Sequence, residues 1–157
     1  MALKKLVLIL MGIVVSDMNS EYIRAYFLRA SEGVVYKGYL SEITNSLKAK
    51  QEYVGGGIET FTLNDDLVLV GGRDAVVFGK TLNRALYDES GKFITAFAGN
   101  LLVVRYKGDE FDSILEEDVE LVERLLKPID RIACGTVFLK AIEELPEWKR
   151  ASGESAD

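Results

Sequence analysis

The chain has 157 residues, of which 48% are hydrophobic and 28% charged, with a net charge of -6 and a single cysteine. That length and apolar content suit one globular domain with its own core and exclude global disorder, and the acidic balance disfavours the large basic footprint that binding nucleic acid needs. With no histidine at all, Ser-His-Asp and Cys-His nucleophile activation and imidazole metal sites are excluded, and one cysteine builds neither an internal disulfide nor a structural zinc site.

The first element is the apolar run Leu6–Val15 behind Lys4-Lys5. Its ten residues are about half of the ~20 that a membrane-spanning helix needs. Its Leu, Val and Ile content, bounded by the turn-prone segment from Ser16 to Ser20, reads as a buried strand. The alternative is an export signal over Met1–Ser16. The strand reading goes with a cytoplasmic protein and no membrane anchor.

Tyr22–Leu28 and Val34–Leu40 flank Ser31-Glu32-Gly33 and read as a hairpin, with a helix as the alternative for the first because Ile23 and Phe27 are four apart. A helix follows, with Ser41 as N-cap, Ile43, Leu47 and Val54 at helical spacing, and Gly55-Gly56-Gly57 as its end. Ile58–Leu63 and Leu67–Val70 form a second hairpin around Asn64-Asp65-Asp66, and Gly71-Gly72-Arg73-Asp74 turns into a strand at Ala75–Phe78. Phe93–Phe97 and Leu101–Tyr106 are further strands. Leu101-Leu102-Val103-Val104 is apolar on both faces and so belongs at the centre of a sheet.

After Gly108 the pattern turns helical. Ser113 and Glu116 have capping-box spacing, Leu115, Val119, Val122 and Leu126 form one stripe, and Pro128 stops the helix. The acids Glu116, Glu117, Asp118, Glu120 and Glu123 read as its solvated face. Ile129–Ile142 fits either a loose helix or a strand at Thr136–Leu139, Cys134 reads as a small buried hydrophobe, and the polar tail Ala151–Asp157 as disordered. The sum is an α+β domain over 1–150. Its mainly antiparallel sheet has about five to seven strands, packed by two or three helices, with 108–150 as a helical extension.

Little in this pattern carries chemistry. The glycine triplet runs helix to strand, the reverse of a phosphate-cradling loop, and Gly71, Gly72 and Gly79 read as turn residues. Asn64-Asp65-Asp66 lacks the spacing of a calcium loop. Asn83-Arg84 is the polar group of most interest, because it interrupts an apolar stretch. One reading makes Arg84 a fork for a phosphate or carboxylate, with Asn83, Glu59 and Asp88 as weak ligand-binding companions. The other pairs it with Asp88 or Glu59 for structure alone. Tyr22, Tyr26, Tyr36 and Tyr39 read mostly as core and cross-strand pairs.

Three landmarks stand in fixed order: Gln51-Glu52-Tyr53-Val54-Gly55-Gly56, then Asn83-Arg84-Ala85 with Asp88-Glu89-Ser90-Gly91, then Ala98-Gly99 before an apolar strand. Over roughly residues 33–107 they make the chain resemble the domain of unknown function 3846 family, small proteins of bacteria, bacteriophages and plasmids. The resemblance implies a shared fold and a phage or plasmid setting, and since the family carries no established catalytic residues it implies no mechanism. The function expected is a small non-enzymatic binding or interaction protein without cofactors, acting on a host or phage protein or a small anionic ligand. The alternatives are a small enzyme using carboxylates, Arg84 and a tyrosine with magnesium, and a structural subunit that forms homo-oligomers through a sheet edge.

Overall fold

A computed structural model of the chain describes residues 21–129, 131–133 and 136–138. The apolar run Leu6–Val15, Cys134 and the tail Ala151–Asp157 lie outside those residues.

Strand β1 (Tyr22–Leu28) turns back through the short ladder β2 (Ala30–Ser31) and β3 (Val34–Val35) into β4 (Tyr39–Thr44). Glu32 and Gly33, at the tip, both take positive φ, 49° and 79°, which is what a tight two-residue hairpin turn requires. The expected hairpin is present, but its second arm runs on to Thr44. Ser41 is therefore a strand residue opposite Ala25 rather than a helix cap. The reason is Ile43, which pairs with Ile23 and is buried with it. The cap of helix α1 (Leu47–Val54) falls at Ser46 instead of Ser41, five residues later, with the Ser46 hydroxyl accepting from the Ala49 N–H at 3.1 Å. It ends where expected, at Gly55 with φ 82°, and the N–H groups of Gly55 and Gly56 both return to Gln51 O.

The second hairpin joins β5 (Ile58–Thr62) to β6 (Leu67–Gly72). Its turn is held by Asn64 Oδ1, which accepts from the N–H groups of Asp66 and Leu67. Then come β7 (Leu82–Tyr87), β8 (Phe93–Ala98), β9 (Leu101–Lys107) and β10 (Glu110–Asp112). The helix expected from Ser113 begins later. Ser113 Oγ accepts from the Arg24 N–H of β1, so it is spent on the sheet. A 3-10 turn (Glu116–Asp118) leads into α2 (Val119–Leu125), and the Asp118 carboxylate accepts from the Leu115 N–H at 2.9 Å. The chain leaves α2 as β11 (Leu126–Pro128), so Pro128 sits on an edge strand, where its missing N–H costs nothing. Of the two readings for Ile129–Ile142, the strand holds where the chain is described: β12 (Arg131–Ala133) pairs with β13 (Thr136–Phe138).

All pairings are antiparallel. The main sheet has six strands in the order β4-β1-β9-β6-β5, with β10 also on β9; a second sheet has the order β11-β7-β8. Strand β9 lies centrally, as its two-faced apolar sequence requires. Leu101 and Val103 join Tyr26, Leu28, Leu67 and Leu69 in a core shared with Leu86, Val122 and Leu126, between the main sheet and the layer of β7, β11 and α2. Leu102 and Val104 point the other way, into a core with Phe27, Val68 and Val70 that Tyr53 and Val54 of α1 cover. The architecture is α+β in three layers, richer in strand than in helix.

Candidate functional site

Residues 73–81 link β6 to β7, and 73–79 do not form the strand expected at Ala75–Phe78. They coil as a single helical turn: the Phe78 N–H donates to Asp74 O at 2.9 Å, and the Lys80 N–H returns to Ala75 O at 3.0 Å. Gly79 closes the coil at φ 70°, the left-handed step that lets these bonds form. Four apolar residues between a Gly-Gly-Arg-Asp turn and a glycine are too few to reach a neighbouring strand. Ala75 is buried as an anchor, while Val76, Val77 and Phe78 stand 65%, 81% and 75% exposed. The coil is also fastened at both ends. The Arg73 N–H donates to Gly57 O at 2.8 Å, and Lys80 Nζ donates to Val54 O at 2.8 Å, at the carboxyl end of α1. Three apolar side chains are thus held out in water on a bonded backbone.

Beside this knob lies a cleft of about 280 Å3. Its walls are Phe61 of β5, the β6 end at Gly71 and Gly72, Ala96 and Phe97 of β8, and Val76 and Val77 of the knob itself. Phe61 and Phe97 meet edge to face with centroids 5.6 Å apart, so an aromatic pair bridges the two sheets at the cleft. A side chain on Gly71 would come within 2.9 Å of Leu101 Cδ2, so glycine there keeps the sheet end and the core in contact. Among the described residues, β5 and β8 are the outer strands of their sheets on this side, and β8 carries no charged residue. Natural sheet edges are usually blunted by charge. Glu59, Arg73 and Asp74 supply the cleft's charges.

The residues singled out by sequence fall in three places. Asn83 and Arg84 are fully buried on β7. The β7–β8 register shifts between Leu82 and Arg84, a bulge that sets Asn83 out of the ladder. Asn83 Nδ2 donates to Leu28 O at 2.8 Å and to Gly99 O at 2.7 Å, and its Oδ1 accepts from Arg84 Nη1 at 2.6 Å. Arg84 Nη2 donates to Tyr36 O at 2.9 Å. Burial pulls the Arg84 pKa down, opposed by the nearby Glu123 carboxylate, to which Tyr26 donates its hydroxyl. Glu59 is exposed on β5 at the cleft, and Asp88 closes the β7–β8 turn by accepting from the N–H groups of Ser90 and Lys92. The structure brings Asn83 and Arg84 together and leaves Glu59 and Asp88 apart from them. Arg84's partners are a neighbouring amide and a main-chain carbonyl, not the two acids considered from sequence. The tyrosines divide: Tyr26 is core, Tyr39 stacks on Phe27, and Tyr22 is exposed.

Lys50 of α1 is a second unusual group, only 2% exposed. Its Nζ donates to Asn45 Oδ1 at 2.8 Å and Ser46 O at 3.2 Å and stands 4.9 Å from the centre of the Phe111 ring. Burial pulls its pKa down to about 8. The unfolded chain, with a lysine near its ordinary 10.5, holds that proton to higher pH than the folded one. Stability therefore rises as pH climbs from about 8 toward 10.5. Burial raises the Tyr26 and Tyr53 hydroxyls above their ordinary 10.0, with the Glu123 hydrogen bond adding to the shift at Tyr26. Their contribution is present below pH 10 and lost above it. Urea melts across pH 7–11 are expected to show a maximum between about 8 and 10, and Lys50→Met to remove the rising limb.

Among the described residues, no three Cys, Asp or Glu side chains gather in a way that could hold a metal ion, and no helix is long and apolar enough to cross a membrane. Comparison with known families gives one match: the model of Domain of unknown function (DUF3846) covers residues 25–127, well beyond the stretch its three landmarks mark out. No curated protein and no solved structure matches the chain.

Proposed function

The chain belongs to the DUF3846 family, a membership that assigns no activity, and we propose from the site itself that it is a small non-enzymatic interaction protein. Its working surface is the β5–β8 cleft with the knob Val76–Phe78, and its ligand is a protein surface rather than a small anion. The observation that carries this is the exposure of Val76, Val77 and Phe78 on a hydrogen-bonded coil at the rim of an apolar cleft. A solvated apolar knob costs solubility and brings no core, so its presence marks a contact surface. A knob beside a hollow fits a macromolecule, whereas a metabolite site encloses its ligand. The buried fork of Arg84, spent on Asn83 and Tyr36, speaks against an anion site at that residue. Acting on a host protein in a phage or plasmid setting fits this reading.

A display library of random peptides selected on the immobilised protein tests it. Selected peptides are expected to share apolar or aromatic anchors and to lose binding, by about tenfold or more, to the Val77→Glu/Phe78→Glu variant. That variant is expected to melt within ~2 °C of the parent, since both side chains are exposed. Peptides that bind parent and variant equally place the surface elsewhere.

A further inference from the structure

The cleft and the knob lie on the same face of one molecule, and that placement limits what can fill them. We propose that the partner is a second copy of this chain, docked about a two-fold axis so that each knob Val76–Phe78 enters the other's β5–β8 cleft. The inference rests on the interaction reading above and names the partner for that surface.

A two-fold interface is self-complementary: whatever residue i of one copy touches in the other, the reverse contact repeats. A surface that carries a projection can satisfy this by also carrying a hollow that accepts it. Here the projection is Val77 and Phe78, and the hollow of about 280 Å3 is walled by Val76 and Val77 on one side and Phe61 and Phe97 on the other. A cavity of roughly 150 Å3 is enough for a benzene ring in a protein interior, so this one holds a phenyl group with an aliphatic side chain beside it. The knob's backbone is bonded at Asp74, Ala75 and Val76, and its ends are tied to Gly57 and Val54. Little order is lost when such a knob docks.

Charge separates this partner from the others. The molecule carries -6 overall, and a second copy is repelled by most of its surface. At the cleft, however, the signs are mixed: Arg73 stands among Glu59 and Asp74. A two-fold axis through this cleft can set Arg73 of each copy against Glu59 or Asp74 of the other, a pairing that the proposal requires. An anionic membrane finds two carboxylates at the rim of the apolar tip, which disfavours insertion.

Sedimentation velocity on the full chain, from about 1 to 200 μM, decides the matter. The expected result is a reversible monomer–dimer equilibrium that stops at two. Val77→Glu/Phe78→Glu is expected to weaken it at least about tenfold while keeping the parent's circular dichroism and, at concentrations where both proteins are monomeric, its melting temperature. Arg73→Glu alone is expected to weaken it, and mixing that variant with Glu59→Arg/Asp74→Arg to restore a heterodimer. Monomer at every concentration overturns the proposal, as does association that the knob variant leaves intact or that continues past the dimer. Display-selected peptides keep the two readings apart. Peptides that bind a strictly monomeric protein at the knob leave the interaction reading standing and remove only the second copy. Peptides that dissociate the dimer support both.

Discussion

Asn83→Ala is expected to lower the unfolding free energy by about 3–5 kcal/mol, the largest effect of any single polar substitution among the described residues. Its amide nitrogen holds Leu28 O of the main sheet and Gly99 O at the β8–β9 turn, while its oxygen receives Arg84 Nη1. Truncation leaves two carbonyls and a guanidinium nitrogen without those partners in a fully buried place, at roughly 1–3 kcal/mol for each such group. Arg84 is exposed to the loss in particular, because its Nε already has no hydrogen-bond partner among the described residues. Asn83→Asp is the sharper variant. It keeps the shape and a partner for Arg84 but turns an oxygen toward two carbonyl oxygens, so it too is expected to be costly. Urea melts at pH 7 with an unchanged m-value check both. A loss below about 1 kcal/mol for Asn83→Ala would mean that the bulge relaxes and that Asn83 is not the clamp between the layers.

Leu102→Ala comes next, at about 3–4 kcal/mol, within the range for truncating a buried leucine. Leu102 has no exposed surface and lies on the central strand, which pairs with β1 on one side and β6 on the other. Neither neighbour can move in to fill the void without breaking its ladder, so the cost falls at the upper end. Phe78→Ala removes a larger side chain, yet is expected to change stability by no more than ~0.5 kcal/mol, because Phe78 packs on little in the monomer. Thermal melts of the two variants side by side should separate core from contact surface; equal losses would sink the assignment of Phe78 to a surface.

Much of the fold was legible because local and global preferences agree. Leu101–Val104 alternates between two cores and could only be central; Gly55 follows an apolar helix face and takes the left-handed cap; Asn64 makes the turn that its side chain is suited to. The misreadings share one cause, a tertiary partner that outweighs a local signal. Ser41 has a cap's chemistry, but Ile43 two residues on is claimed by Ile23, and the cap passes to Ser46. Ser113 has capping-box spacing, but its hydroxyl is taken by Arg24 of β1.

The candidate site was less legible. Asn83-Arg84 drew notice as polar residues in an apolar run, and that signal marks a buried clamp as readily as a ligand site. Ala75–Phe78 looked like a strand because hydrophobicity and β-propensity were all the sequence offered there. The useful hint was Gly79, whose left-handed step closes the coil. No pattern along the chain reports that β5 and β8, thirty residues apart in sequence, end side by side at one cleft.

The central place of β9 also governs how the chain is made. The hairpins β1–β4 and β5–β6 each close early and locally, yet both must wait for β9 to join them, since it emerges after all four strands. Until then the inner edges of β1 and β6, the most apolar strands present, have no partner. A growing chain in that state is prone to stray pairing, and folding through such distant contacts is slow. Chains truncated before Leu101 should accordingly collect in inclusion bodies or on chaperones, whereas those ending beyond β11 should stay in solution.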